Sequence, residues 1–355
     1  MCRHRKTHRW SPGWRHDANP GTKPAVNRRA IIQRRLRSIG VVVGLFLVAS
    51  MLLPALVLAA LAFDLFRLAT GHRRFVALRL AIIGWVYLAA EVLGIAALGM
   101  LWLAAGGGRA RRLFIGGTYA VQRWWAGTLF AVIRALFDLR VEVEGDAVLT
   151  PGPILVFMRH ASIIDNLLPS ALITGKHGIR LRYVLKRELL SDPALDIAGS
   201  RLPNYFVDRA AGGASEVAAI GALGMGLGAH EGVLIYPEGT RFTPERRERA
   251  LARIEENEPE MVERARCLEA VLPPRPGGPL RLLDVEPAAD VVVAAHVGLD
   301  GFSHIRNILD GGLVGGTVRV RFQRFPIGTI PADGEVRVAW LYDRWAEVDA
   351  WIRSQ

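Results

Sequence analysis

The spacing of apolar residues changes three times along the chain. Residues 1–37 show almost no apolar periodicity and scatter 11 Lys and Arg among Pro, Gly, His and Asn, the composition of a disordered basic arm. From Ile39 to Phe63 run 25 residues without a charge, enough as a helix to cross about 30 Å of hydrocarbon. This stretch is too long and begins too late for a cleaved signal peptide. A second apolar segment, Leu80 to Ala105, is interrupted only by Glu91. Together they predict a membrane helical hairpin over 38–109, with the arm and all that follows on the cytoplasmic side. The connecting loop holds Arg67, Arg73, Arg74 and Arg79, which the positive-inside rule would not export. A re-entrant or one-leaflet hairpin is the alternative that removes this conflict. Glu91 near mid-span is a weak functional hint.

After Gly106-Gly107-Gly108, residues 110–138 combine Trp124 and Trp125 with Arg111, Arg112, Arg123 and Arg134, which predicts an interfacial linker helix. Beyond it the period shortens. Leu139-Arg-Val-Glu-Val-Glu alternates as a strand, and apolar runs recur at 153–158, 181–185, 203–207, 232–236, 290–295 and 317–323. Helical patterns lie between several of them, including 213–230 and the charged 244–270. Such alternation predicts an α/β domain over 139–355, its sheet largely parallel and flanked by helices.

Charge sharpens this division. The formal net charge of +12 raises nucleic acid as a partner, but residues 1–109 hold 16 Lys and Arg against Asp17, Asp64 and Glu91. Residues 110–355 balance 29 basic against 30 acidic side chains. The basic excess therefore belongs to the hydrophobic end, which favours membrane topology over nucleic-acid binding. Cys2 and Cys267 stand far apart in unlike contexts, so neither a disulfide nor a cysteine-based metal site is expected.

Candidate chemistry centres on His160-Ala-Ser-Ile-Ile-Asp165, which follows the apolar run Pro-Ile-Leu-Val-Phe-Met and precedes a helical start. The carboxyl end of a strand is where open α/β sheets place their sites. An imidazole is suited to take a proton at neutral pH, and a carboxylate on its other nitrogen selects the tautomer and stabilises the cation. The ordinary alternative is a helix N-cap aspartate beside a loop histidine. With 9 His in 355 residues, such a spacing arises by chance too readily to stand alone. It has company. Residues 232–243 run from an apolar strand into Pro-Glu238-Gly239-Thr240-Arg241, where the glycine permits close backbone approach and Thr240 and Arg241 offer donors for phosphate oxygens. Lys186-Arg-Glu-Leu and Phe206-Val-Asp208-Arg209 are two further apolar runs ending in basic residues.

In this order the blocks resemble the glycerolipid acyltransferases, a family that includes the lysophosphatidate (1-acylglycerol-3-phosphate) acyltransferases. The resemblance covers roughly residues 139–300, with Ser162 also in the signature block. Arg159 stands where Asn commonly precedes the histidine, and Val291–His296 lacks the proline usual in the last block. Leu272-Pro-Pro-Arg275-Pro-Gly-Gly is closer to a Pro-Arg element of one branch of the family.

The resemblance implies a membrane-bound O-acyltransferase that moves a fatty acyl group from acyl-CoA, or acyl carrier protein, to lysophosphatidate, giving phosphatidate. His160 would be the general base and Asp165 its orienting partner. Lys186, Arg209, Glu238, Gly239, Thr240 and Arg241 would bind the acceptor phosphate, with Glu238 orienting Arg241 or bonding glycerol hydroxyls. No cofactor and no metal is expected. The expected partners are the acyl carrier, the lysophospholipid acceptor and membrane lipids, with no nucleic acid. Two alternatives remain: a different lysophospholipid or lipid acceptor, and a catalytically silent lipid-binding scaffold. The ordinary reading of His296 and His304 is a structural loop histidine, and that of Ser162 a turn.

Overall fold

The computed structural model describes residues 28–71, 74–208, 213–300, 308 and 311–355. Arg73, Arg209, His304 and residues 1–27 of the basic arm lie outside the described residues.

The remainder of the arm, 28–37, is helical rather than disordered, forming the start of helix α1 (Arg28–Met51). Helix α2 (Leu53–Ala69) follows after a 68° bend. Pro54 lies in the first turn of α2; its ring clashes with the carbonyl four residues earlier, which stops α1 from continuing straight. The uncharged run from Ile39 to Phe63 is therefore a bent helix pair and not one straight span. Helix α3 (Val76–Ala104), with α1 and α2 packed along it, is the single unbroken helix among the described residues long and apolar enough to cross a membrane.

Both ends of this apolar unit return to the α/β domain. Arg74, in the connection between α2 and α3, donates to the carbonyl of Gly311. Arg34 and Arg35 of α1 donate to the fully buried carboxylate of Asp196 at 2.8 and 3.0 Å. The connection that the simple hairpin would export thus touches the domain through Arg74.

The two carboxylates of the apolar region have a common explanation. Asp64 accepts from the N–H groups of Ala77 and Leu78 at the start of α3. Glu91 accepts from Ala194 N–H at the start of helix α5 (Pro193–Arg201). Helix N-termini leave N–H groups unpaired and carry partial positive charge, so each acid finds a partner without water. Glu91 is thereby a docking residue between α3 and the domain.

Helix α4 (Arg111–Phe137) leads into a seven-stranded sheet. Its strands are β1 (Arg140–Glu144), β2 (Ile154–Met158), β3 (Arg180–Lys186), β4 (Tyr205–Val207), β5 (Glu231–Ile235), β6 (Asp290–Val297) and β7 (Thr317–Phe325). Their spatial order is β1-β7-β6-β2-β5-β3-β4, parallel throughout except that β7 pairs antiparallel with β6. The α/β expectation holds.

Alternation sorts the strand residues into two layers. Ile154, Val156, Met158, Leu234 and Val292 pack beneath Phe130, Ile133 and Phe137 of α4. Leu155, Phe157, Val233 and Val291 pack on the opposite face against helices α6 (Ala214–Ala222) and α9 (Gly277–Val285) and the last helix, Gly334–Arg353. The segment expected to be an interfacial linker is thus a core helix along its second half. The charged stretch 244–270 divides into α7 (Pro244–Asn257) and α8 (Val262–Arg266), with Pro259 at the break.

Candidate active site

β2, buried at every residue, is the innermost of the site-bearing strands, and the chain leaves its carboxyl end at Arg159 and His160. Lys186 ends β3, the 236–242 turn follows β5, and His296 lies near the end of β6. These strands are parallel and adjacent, so four segments distant in sequence converge at one edge of the sheet.

His160 and Asp165 meet across a tight loop, with Nδ1 3.1 and 3.2 Å from the two carboxylate oxygens. Asp165 Oδ2 also accepts from the N–H groups of Ala161 and Ser162, at 2.7 and 2.8 Å. Ser162 Oγ accepts from Ile164 N–H, the local turn that the ordinary reading of Ser162 requires. The carboxylate thus organises the loop and faces the imidazole at once.

Because Asp165 can only accept when ionised, the proton of a neutral His160 resides on Nδ1 and leaves Nε2 as the basic nitrogen. Burial pushes the His160 pKa below the usual imidazole range, the Asp165 carboxylate opposes this, and Lys186 and His296 reinforce it. The ring is therefore neutral at pH 7. Burial alone would raise the Asp165 carboxyl, but the hydrogen bonds from His160 and His296 reverse this and hold it far below the carboxylate range. The Tyr236 ring packs beside the imidazole, centroids 4.4 Å apart.

Glu238 is placed differently from expectation. It is 1% exposed, and its two oxygens accept from His160 N–H at 2.8 Å and Leu272 N–H at 3.0 Å. Burial pushes its carboxyl up to about 8, against the lowering effect of those N–H groups and of Arg159. Each oxygen is engaged by a backbone N–H, and no bond to Arg241 is formed among the described residues. It ties the histidine loop to the 268–272 segment, which Asp349 of the last helix holds by accepting from Glu269 and Ala270 N–H. Phe242 N–H donates to His160 O at 2.8 Å, a second tie.

Gly239 adopts φ +68°, and a Cβ there would lie 3.2 Å from Arg275 Cδ. Thr240 and Arg241 are half-buried, and Arg241 keeps a buried Nη1 without a hydrogen-bond partner among the described residues. That nitrogen is a ready donor for an anion. Lys186 contributes positive charge felt at His160.

The family model for acyltransferases matches residues 140–274. This segment is an acyltransferase domain. It spans the dyad, the end of β3 and the turn after β5, so the chemistry-bearing residues described above belong to it, with His296 supplied from beyond its last residue. Among solved structures, the chain is similar to PlsC, the 1-acyl-sn-glycerophosphate (LPA) acyltransferase from Thermotoga maritima, with 14% identity and a TM-score of 0.46 over 76% of this chain and 96% of that one. No curated protein matches the chain.

Three site features escaped the pattern of the sequence. Arg159 is almost fully buried and donates to the carbonyls of His296 and Ala270 and to Asp300, at 2.8, 3.1 and 2.7 Å. Its long side chain makes interstrand contacts. His296 lies in a strand, not a loop, and its placement beside Asp165 had no local signal beyond the end of an apolar run. Tyr236 reads as one more apolar strand residue.

Proposed function

We propose that the chain is a membrane-bound O-acyltransferase that esterifies lysophosphatidate to phosphatidate, with acyl-CoA or acyl carrier protein as donor. The observation that carries this reading is the neutral, Asp165-oriented His160 beside the turn that bears Thr240 and Arg241.

In the reaction, Nε2 of His160 accepts the proton of the acceptor hydroxyl as its oxygen attacks the thioester carbonyl. Asp165 stabilises the resulting imidazolium. Collapse of the tetrahedral intermediate breaks the carbon–sulfur bond, and the departing thiolate takes the proton back from His160. No protein acyl intermediate is required. Arg241, with Gly239 and Thr240, Lys186 and Arg209, would hold the acceptor phosphate so that the hydroxyl meets the base in a productive geometry.

Membrane attachment is supported by the exposed apolar side chains of α1 and α2, such as Leu47, Met51, Leu58 and Phe66, and by Trp102 and Leu103 of α3. Because both ends of this unit are tied to the domain, we read it as embedded from the cytoplasmic face. A two-chain lipid product stays in the bilayer beside such an anchor.

The test is thiol release from acyl-CoA by the full chain in phospholipid nanodiscs, offered lysophosphatidate and then other lysophospholipids, with His160→Ala alongside. Turnover on lysophosphatidate that His160→Ala abolishes supports the proposal. Turnover only on another acceptor replaces the substrate, and silence with every acceptor from both donor carriers refutes catalysis.

A further inference from the structure

His296 is fully buried on β6, beside Asp165. Its Nε2 lies 3.1 Å from the carbonyl oxygen of Arg159 and 3.5 Å from Asp165 Oδ2. A carbonyl only accepts, so Nε2 carries the proton. Nδ1 is buried and has no partner among the described residues. The Nε2–H bonds the main-chain oxygen of Arg159 and lies within 3.5 Å of the catalytic carboxylate.

This contact is reciprocal. Arg159 Nη1 donates back to His296 O at 2.8 Å, so Arg159 and His296 clamp one another across neighbouring strands. The residue that departs from the family's usual Asn at 159 is thus built together with a second histidine. Asp300 completes the clamp by holding the Arg159 guanidinium.

We infer that His296 is a positioning residue for acyl transfer: its Nε2–H orients the Asp165 carboxylate toward His160, making the base a His160–Asp165–His296 relay set on three sides by β2, its loop and β6. The inference rests on the catalytic reading of His160, and it assigns His296 no contact with substrate. A brace that merely held β6 to Arg159 would make the same carbonyl bond without touching the base.

The groups facing this set are known from each neighbouring element: Lys186 from β3, Tyr236 and Glu238 from the segment after β5, and Arg159 and Asp300 beside His296. Removing the His296 imidazole removes a group that lowers the His160 pKa and a donor that occupies Asp165. The acid limb of the rate profile should therefore move to higher pH.

The test uses the full chain in nanodiscs, comparing wild type with His296→Gln, whose amide reaches the Nε2 position, and with His296→Asn and His296→Leu, which leave that position empty. Two readouts are taken: kcat and KM across pH from thiol release, and the downfield proton resonance of His160 Nδ1–H, assigned by its loss in His160→Ala. His296→Asn and His296→Leu are expected to lower kcat about tenfold, the worth of one hydrogen bond to a charged group. They should leave acceptor KM within about twofold, raise the acid limb and shift the resonance, while His296→Gln restores most of kcat. Should His296→Leu fail to fold, the Gln and Asn pair carries the comparison. An unchanged acid limb and resonance in folded His296→Asn, or equal loss in Gln and Asn, overturns the inference. If wild type releases no thiol, the acyl-transfer reading fails separately, and the resonance still reports whether His296 acts on the dyad.

Discussion

Replacing Asp165 by Asn separates the two tasks of this carboxylate. Oδ2 accepts the N–H groups of Ala161 and Ser162, whereas Oδ1 is the closer oxygen to His160 Nδ1. An asparagine that keeps its oxygen at the Oδ2 position still satisfies both N–H groups and turns its NH2 toward Nδ1. The amide then donates where the carboxylate accepted, so the imidazole carries its proton on Nε2 and the base is lost. Two hydrogen bonds change from charged to neutral acceptors, a loss of about 2 kcal/mol, and this is offset in part because a buried charge is no longer desolvated. Stability should therefore fall by no more than about 2 kcal/mol. Turnover should fall roughly 10³- to 10⁴-fold, the scale on which a wrong tautomer disables a histidine base. Thiol release and thermal unfolding of the same preparation measure the two effects. A folded Asp165→Asn protein retaining a tenth of wild-type turnover would refute the tautomer argument.

Further substitutions test the surroundings. Glu238→Gln keeps one acceptor but turns its NH2 on a backbone N–H, costing about 1–3 kcal/mol. The folded carboxyl, at about 8, lies above its unfolded value, so its contribution is complete below the unfolded pKa and is lost as pH rises toward 8. Wild type should therefore lose part of its advantage over Glu238→Gln between pH 5 and 9 in thermal unfolding; a constant gap would contradict the burial argument. Gly239→Ala places a Cβ at φ +68° and 3.2 Å from Arg275 Cδ. It should cost about 1–2 kcal/mol and raise acceptor KM by displacing Thr240 and Arg241, and an unchanged KM would detach this turn from the acceptor. Asp196→Asn should weaken the hold on Arg34 and Arg35, so that limited proteolysis near 28–37 accelerates while the domain stays intact; equal cleavage rates would show that α1 is held by its apolar contacts alone.

Local pattern determined the strands, the layer that each strand residue faces, and the dyad. Runs such as Ile154–Met158 are too apolar for any surface element, and a histidine five residues before an aspartate meets it only across a turn, so the loop's geometry was implicit in its spacing. The glycine of the turn after β5 was equally legible, since positive φ favours a residue without Cβ. Tertiary structure alone decided where long side chains end. The resemblance made Glu238 a candidate for orienting Arg241 or bonding an acceptor hydroxyl, and only the fold shows that it accepts from the amides of His160 and Leu272, one from each of two distant segments. Glu91 looked like an isolated intramembrane charge until α5 presented its N-terminus. His296 and Arg159 find each other only because β6 lies beside β2 in the sheet. Periodicity records which face of an element is buried; the partner of a buried polar atom is set by strand order and helix docking, which join residues more than a hundred positions apart.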